Sequence, residues 1–372
     1  MSSTPETSES TLRVAPPLEP KDPIVVPTPP GFRFAPCVSL SPIGVLPPLV
    51  YEPTQHAMQI ALPSKLMGNF ELFPCAEVLV HEVPDQSALL VYGMWPGPVA
   101  DSAIDKVKWM LGIEEDLGLF HHLCERDRDL KWVAEQRAGR ILRSPTVFED
   151  LVKIVIVTQR RKQAREICEK LCTAFGQPTM LARHGFPEAS KLASAKMSEL
   201  VDDLGLGPLG KMIWKLSVCC AEGRPSPETL RRVRPSVTAA LCADDEALFD
   251  DLVGEELAWQ ERLTDLLLTL PGFGIRAVPP MLRLLGCHDL VELHHAALTM
   301  FAKRYPPRRK SKKKATAHEA EHGHDHAHGH DHDHDGECSQ EVVERMLKRL
   351  DGFAIYRSLA QSLLLLPPER SA

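Results

Sequence analysis

The stretch that decides the fold is residues 266–304, LLLTLPGFGIRAVPPMLRLLGCHDLVELHHAALTMFAKR. An apolar helix is predicted to end at Leu270, where Pro271 and Gly272 follow, and a second helix is predicted beyond Gly274. Two glycines around one hydrophobic residue let the backbone turn sharply and point its amides outward. Because such amides bind phosphate oxygens, the hairpin indicates a sequence-independent grip on a nucleic-acid backbone. The alternative is an ordinary turn, since Gly-x-Gly also joins many helix pairs that bind no nucleic acid.

Helices are predicted over most of residues 101–305. The clearest one opens with Pro145, which suits a first helical turn, and with Thr146 and Glu149, which form a capping-box pattern. Its body, residues 148–157, is apolar nearly all round, which predicts a central and buried helix.

Two short segments ahead of the helices, residues 76–81 (AEVLVH) and 87–93 (SALLVYG), are rich in β-forming side chains. A Pro-Asp turn separates them, so they are predicted to form a hairpin. We therefore expect a small antiparallel sheet subdomain over residues 50–100.

Three segments lie outside the predicted sheet and the main helical region. Twelve of the 32 prolines lie in the first 48 residues, which predicts a mostly disordered, proline-rich arm over residues 1–45. Residues 306–340 contain basic and histidine-rich runs without apolar periodicity, which predicts a disordered insertion. Order returns in residues 341–366, which predict a C-terminal helix that packs back on the helical domain.

Composition excludes several classes of protein. The chain has 372 residues, 44% hydrophobic and 25% charged, which suffices for one large domain or two modest ones. Because the net charge is −7, any nucleic-acid binding must depend on a local basic face. No apolar run long enough for a membrane span and no secretory signal pattern is found. The ten cysteines lack framework spacing, which predicts reduced thiols in an intracellular protein.

Several blocks, in order along the chain, resemble the helix-hairpin-helix (HhH-GPD) DNA glycosylases, the superfamily of the 3-methyladenine and 8-oxoguanine DNA glycosylases. The family's hairpin is similar to LPGFG at residues 270–274. The other similar blocks are residues 140–153, 204–207, 304–310 and 356–366. The resemblance implies a mainly α fold with a small N-terminal antiparallel β-sheet (α+β) and a two-lobed helical domain.

The resemblance also implies a mechanism, in which a damaged base is flipped from duplex DNA into a pocket between the lobes. In such enzymes a carboxylate about 20 residues past the hairpin stabilises the oxocarbenium-like sugar or directs water. Some members carry a lysine two residues after the second hairpin glycine, which attacks the sugar. This sequence has His294 at the first position and Arg276 at the second. Arginine stays protonated and cannot form a Schiff base, so base-excision activity would be monofunctional, without lyase chemistry.

The catalytic candidates are therefore Glu292 and His294. Histidine offers no negative charge to a cationic transition state, whereas Glu292, or Asp289, takes the carboxylate role if the loop is shifted. Alternatively, His294 acts as a general base on water, since imidazole titrates near neutrality. A third interpretation is that His294 and His295 merely cap a surface helix. The scaffold would then be a catalytically inactive DNA-binding or damage-sensing protein, a pseudoenzyme, or one repurposed for protein interaction.

Further DNA contacts are predicted where the central helix ends. Gln159 matches the polar residue that enters the gap left by a flipped base in this family, and Arg160, Arg161 and Lys162 are candidates for the flanking phosphates. An ordinary solvated helix turn is the alternative. With these residues, the predicted DNA-binding set contains Gly272, Gly274 and Arg276. Pro279 and Pro280 require that the second hairpin helix begin late, near Pro279, or that the hairpin be distorted.

The histidine-rich tract has the ligands that zinc, nickel or copper prefer, in a His-x-His spacing that suits loose binding. Its metal candidates are His324, His326, His328, His330, His332 and His334. A neutral low-complexity expansion is the alternative. No cofactor is expected to be required and no iron–sulfur cluster is predicted, while the hairpin is a candidate site for a monovalent cation.

The expected partner is double-stranded DNA, bound by a monomer, with no membrane contact. The basic run at residues 303–314 favours a nuclear protein, although it could also bind phosphate or balance the neighbouring acidic residues.

Overall fold

A computed structural model describes residues 22–63, 75–83, 86–93, 97–179, 183–231, 246–291, 295–306 and 335–365. It is mainly helical, with a five-stranded antiparallel sheet near the N-terminus, so the predicted fold class is confirmed. The strands are β1 Ile24–Pro27, β2 Val50–Glu52, β3 Ala57–Pro63, β4 Cys75–Val83 and β5 Ala88–Gly93.

The helices follow in chain order. They are α1 Phe34–Leu40, α2 Gly97–Leu111, α3 Gly118–Glu125, α4 Lys131–Glu135, α5 Val147–Arg160, α6 Ala164–Phe175, α7 Ala189–Ser194, α8 Pro208–Ala221, α9 Glu246–Leu268, α10 Val278–Leu284, α11 His295–Arg304, α12 Asp335–Leu350 and α13 Arg357–Leu364. None of the helices in the described ranges is both long and apolar enough to cross a membrane.

The sheet has the strand order β1-β5-β4-β3-β2, and every neighbouring pair is antiparallel. Alternate side chains such as Val26, Val80 and Leu89 are buried on one face. This face packs on α1 and α2 in a core separate from the larger helical core. The predicted hairpin of residues 76–81 and 87–93 corresponds to β4 and β5.

The expectation of a disordered arm over residues 1–45 is wrong from residue 22 onward. Residues 24–27 form an edge strand, and α1 follows with Phe34 fully buried. The Phe34 amide donates to Glu82 on β4 at 2.6 Å. Prolines obscured this order because Pro27 ends an edge strand and Pro36 lies in a first helical turn, where each is tolerated. Residues 1–21 lie outside the described residues.

The central helix α5 forms as predicted. The Thr146 hydroxyl accepts from the Glu149 amide at 3.1 Å and caps the helix. Its side chains from Val147 to Ile156 are all buried. Downstream, helix α9 continues through Gly254, where an added Cβ would meet no atom within 4 Å.

The C-terminal segment returns to the helical core. It consists of α12, a 3-10 turn at Asp351–Tyr356, and α13, and it buries Met346, Phe353 and Leu359. Since α12 begins at Asp335, the expected disordered insertion is wrong for residues 335–340, while residues 307–334 lie outside the described residues.

Candidate nucleic-acid interface

The hairpin between α9 and α10 requires one of its two glycines. Gly272 has φ +87°, a left-handed conformation that favours glycine. A Cβ added there would lie 3.0 Å from both γ-carbons of Val155, so Gly272 lets the hairpin approach α5 closely. A Cβ added at Gly274 would meet no atom within 4 Å. Gly274 therefore leaves open space on the outer side of the turn.

Three backbone hydrogen bonds close the turn. The Phe273 amide donates to the Leu270 carbonyl at 3.1 Å, and the Ala277 and Val278 amides donate to the Gly274 carbonyl at 2.9 and 3.1 Å. Within the described residues, no backbone hydrogen bond uses the amides of residues 274–276. These amides are donors that a phosphate oxygen could engage.

The two prolines do not distort the hairpin. Helix α10 begins at Val278, with Ala277 as its N-cap, so Pro279 and Pro280 occupy the first turn, where the missing amides are not needed. The expected late helix start is thus observed, one residue before Pro279.

The end of α5 presents the predicted basic run to solvent. Gln159, Arg161 and Lys162 are exposed and Arg160 is half-buried. Among the ion pairs of the described residues, none includes Arg160, Arg161 or Lys162. The next cations along the chain do pair with carboxylates, Arg165 with Glu169 at 3.9 Å and Lys170 with Glu166 at 2.9 Å.

The structure brings the hairpin and the end of α5 together. Val155, which contacts Gly272, lies one helical turn before Gln159, so both residues share a side of α5. Arg276 is exposed at the turn, next to Ile275, which is 87% exposed. Two segments more than 100 residues apart in sequence therefore meet where Gly272 lies against Val155.

The two catalytic candidates, Glu292 and His294, lie outside the described residues. Asp289, the other carboxylate considered for this role, is described and is bound by Arg357. The Arg357 Nε and Nη2 atoms donate to its two oxygens at 2.7 and 2.8 Å. Hydrogen bonding to Asp289 raises the pKa of Arg357. Asp289 is therefore committed to an ion pair with α13.

Other contacts fasten the same segment to the C-terminal helix. The Ser358 amide donates to the His288 carbonyl at 2.6 Å, and the His288 ring stacks on Tyr356 with centroids 6.2 Å apart. Arg283 of α10 donates to the Ser362 hydroxyl at 3.0 Å. Sequence reasoning missed these contacts, since they join residues about 70 positions apart and carry no local signal.

The sequence analysis also did not predict a buried ionic cluster in α5. Lys153 donates to Glu149 Oε1 at 2.5 Å, and each side chain is 2% exposed. Burial alone would lower the pKa of Lys153, but the adjacent Glu149 carboxylate reverses this and raises it. Burial raises the pKa of Asp150 to about 7, against the opposing hydrogen bond from the Ser144 amide. The i, i+4 spacing of Glu149 and Lys153 was the available signal.

The histidine tract, with all six of its candidate ligands, lies outside the described residues. In the part of the chain that the structure describes, no group of three or more His, Cys, Asp or Glu side chains could hold a metal ion.

No family model matches the sequence, and no curated protein matches it. Solved structures do match. The 3-methyladenine DNA glycosylase of Archaeoglobus fulgidus is 15% identical with a TM-score of 0.60, over 92% of this chain and 97% of that one. The apo 8-oxoguanine glycosylase/lyase of Clostridium acetobutylicum is 12% identical with a TM-score of 0.58, over 93% and 97%.

A second structure of the Clostridium acetobutylicum protein is also similar, in complex with double-stranded DNA that contains cytosine opposite 8-oxoguanine. It is 13% identical with a TM-score of 0.57, over 93% of this chain and 96% of that one. At these identities the likeness shows the fold. The resemblance to the helix-hairpin-helix DNA glycosylases is thereby confirmed over most of the chain, as a shared fold.

Proposed function

We propose that the protein is a base-excision DNA glycosylase that hydrolyses the N-glycosidic bond of a flipped, damaged base in duplex DNA. The observation that carries the proposal is the contact of Gly272 with Val155, which joins the hairpin to the helix end that bears Gln159. In a glycosylase fold, these parts supply a grip on the backbone and a side chain for the gap in the duplex.

Each part has a defined task in this proposal. The amides of residues 274–276 and the Arg276 guanidinium hold phosphates of one strand. Gln159 fills the space that the flipped base leaves, and the cations of residues 160–162 hold the flanking phosphates. Because phosphate contacts carry no sequence information, this surface supports binding to any duplex and leaves lesion choice to the base pocket.

The chemistry is a hydrolysis without a covalent enzyme intermediate. An arginine side chain at position 276 cannot form a Schiff base with the sugar carbon, so water is the nucleophile. A Glu292 carboxylate would stabilise the positive charge that develops on the sugar, whereas a neutral His294 would take a proton from the attacking water. Protonated His294 would repel the same charge, so a histidine mechanism requires a pH above the histidine pKa.

A catalytically inactive DNA-binding or damage-sensing protein is the second candidate. The observation that favours it is the engagement of Asp289 by Arg357, which removes one carboxylate that could replace the family's aspartate. The DNA surface is independent of that pair and would be retained.

A single-turnover excision assay distinguishes the glycosylase from the inactive DNA-binding protein. Wild-type protein would be incubated in excess with duplexes that carry alkylated, oxidised or deaminated bases, beside Glu292→Gln and His294→Ala. Free base should be released, one variant should abolish release, and borohydride should trap no protein–DNA adduct. No release from any duplex, with salt-sensitive DNA binding intact, would refute the enzyme and support the binding protein.

A binding series tests the DNA surface itself. Arg276→Gln should weaken duplex binding on all sequences alike and reduce the slope of log K against log[salt] by about 1. Lys131→Gln is the matched control, since Lys131 pairs with Glu135 on α4 and lies outside the proposed surface. Equal affinities for the two variants would contradict the proposed surface.

We further propose nuclear entry through the basic run at 303–314 and loose binding of zinc or nickel by the histidine tract, neither of which the catalytic proposal requires. Fluorescent fusions with the lysines and arginines of residues 308–314 replaced by alanine test the first. Cytoplasmic retention of the replaced fusion is the expected result.

A further inference from the structure

The segment that follows α10, residues 285–291, comes immediately before the two catalytic candidates in the chain. It contains no helix or strand, so its position depends on the elements that hold it. Glu292 is three positions after Asp289, and three residues of extended chain span at most about 10 Å. Contacts that fix Asp289 therefore limit the region that the backbone of residue 292 can reach.

Two neighbouring residues of α13 hold the segment from one side. The Arg357 guanidinium forms a bidentate pair with Asp289, with nitrogen–oxygen distances of 2.7 and 2.8 Å. The Ser358 amide donates to the His288 carbonyl at 2.6 Å. A bidentate pair fixes the orientation of both groups as well as their distance, so α13 sets the direction of the Asp289 side chain.

The first helix of the hairpin holds the segment at a second point. Gln260 lies on α9, and its Oε1 atom accepts from the Asp289 amide at 3.2 Å. Asp289 is therefore bound through its side chain by α13 and through its backbone by α9. Any shift of this residue must break one of these two contacts.

The helix that leads into the segment is also fixed. Arg143, whose side chain is 2% exposed, donates through Nε to the carbonyl of Leu284, the last residue of α10. The same guanidinium donates to the Trp109 carbonyl at 3.2 Å. Arg283 of α10 donates to the Ser362 hydroxyl of α13 at 3.0 Å. The segment is therefore held at its beginning as well as at Asp289.

These contacts join the hairpin and the segment into one unit. Helix α9 leads into the hairpin and binds Asp289, while α10 leads out of the hairpin and is bonded to α13. Phosphates held at the hairpin would then keep a fixed distance from groups at the end of the segment. Fixed geometry matters because a misplacement of about 1 Å can lower a catalytic rate about 100-fold.

Stability alone is a weak reason for the pair of Arg357 and Asp289. The Arg357 side chain is 35% exposed, and ion pairs with a partly exposed partner add little to the free energy of unfolding. The geometry of the pair is nevertheless bidentate, which serves orientation more than stability.

We infer that Arg357 is a positioning residue for base excision, that it acts through Asp289, and that Gln260 shares this task. The inference rests on the proposed function, because it gives the C-terminal helix a part in the hydrolysis. Neither side chain acts on the sugar. Their removal should therefore slow the chemical step of a folded protein and leave its grip on duplex DNA intact.

Single-turnover excision at saturating protein, beside duplex affinity, tests this separation. Arg357→Gln should lower the excision rate at least about tenfold and change the duplex Kd by less than about twofold. Arg357→Lys should lie between this variant and wild type, since an ammonium keeps the charge but not the bidentate geometry. Lys170→Gln is the matched control, because Lys170 forms an exposed pair with Glu166 on α6. Thermal unfolding would verify that the variants are folded.

Further variants test whether Arg357 acts through Asp289. Asp289→Asn should slow excision as much as Arg357→Gln, and the double variant should be no slower than either, because both changes remove one contact. Gln260→Leu should also slow excision, since it removes the acceptor of the Asp289 amide. A far larger loss in Asp289→Asn than in Arg357→Gln would show that Asp289 itself acts on the substrate, and would overturn the inference.

Hydrogen exchange gives a measurement that needs no activity. In Arg357→Gln the amides of residues 285–291 should exchange faster than in wild type, while those of the hairpin at 270–278 should not change. Unchanged exchange of the segment, or excision at the wild-type rate, would overturn the inference and leave the proposed function standing. A parallel loss of duplex affinity would indicate a general structural role and would also overturn it. Absence of excision by wild-type protein would refute the proposed function and the inference together.

Discussion

Gly272 and Gly274 flank the same phenylalanine but have different tasks. Gly272→Ala should destabilise the fold by about 1–3 kcal/mol, because its φ is +87° and its Cβ would press on Val155. Gly274→Ala should change the free energy of unfolding by less than about 0.5 kcal/mol, since its Cβ enters open space. Urea unfolding of the two variants measures this difference.

The DNA affinity of the folded variants should follow a different pattern. Gly274→Ala should weaken duplex binding several-fold, because the added Cβ stands where a backbone phosphate would approach. Unchanged affinity of Gly274→Ala would mean that the hairpin does not grip the backbone.

Asp150 should make stability depend on pH. Burial raises its pKa to about 7, and an unfolded aspartate titrates near 3.8. Between these values the folded chain binds a proton that the unfolded chain lacks, so the free energy of unfolding falls as pH rises from about 4 to about 7. The contribution is complete below pH 4 and is lost above pH 7, and it amounts to about 4 kcal/mol at most.

Asp150→Asn isolates this effect from the neighbouring Glu149 and Lys153. The stability of the variant relative to wild type should increase across the same pH window, as measured by urea unfolding at several pH values. A constant difference between the two proteins would show that Asp150 titrates normally.

At the scale of elements, the segment after α10 is joined to α13 by the Asp289–Arg357 pair. A double-mutant cycle with Asp289→Asn and Arg357→Gln should give a coupling energy of about 1 kcal/mol, because the pair is bidentate but Arg357 is partly exposed. The exposed Glu166–Lys170 pair of α6 is the control and should give about 0.3 kcal/mol. Equal couplings would show that Arg357 does not hold the segment.

At the scale of the whole molecule, the C-terminal segment belongs to the core although a histidine-rich tract precedes it. Arg349 of α12 donates to Asp127 and Asp129, and Met346, Phe353 and Leu359 are buried. Stability should therefore depend on residues 335–365 and be independent of the sequence of residues 307–334.

Replacing residues 307–334 by a Gly-Ser linker of equal length tests this. The free energy of unfolding should change by less than about 0.5 kcal/mol, because loop length is kept, while nickel binding should disappear. Deletion of residues 335–372 should instead unfold the chain, since it removes buried apolar side chains. A linker variant that melts far below wild type would contradict the independence of the tract.

The sequence by itself determined the features that depend on neighbouring residues. The capping of α5 by Thr146, the alternation in β4 and β5, and the turn at Gly272 all follow from interactions within a few positions. Proline-rich composition misled the prediction for residues 22–45, because the burial of Val26 and Phe34 depends on a partner strand far along the chain.

The tertiary structure alone decided how these pieces meet. It placed Gly272 against Val155 and paired Asp289 with Arg357. Each of these depends on contacts between residues more than 60 positions apart, and no local pattern encodes such contacts. They arise only when the apolar faces of several elements are buried together in a common core.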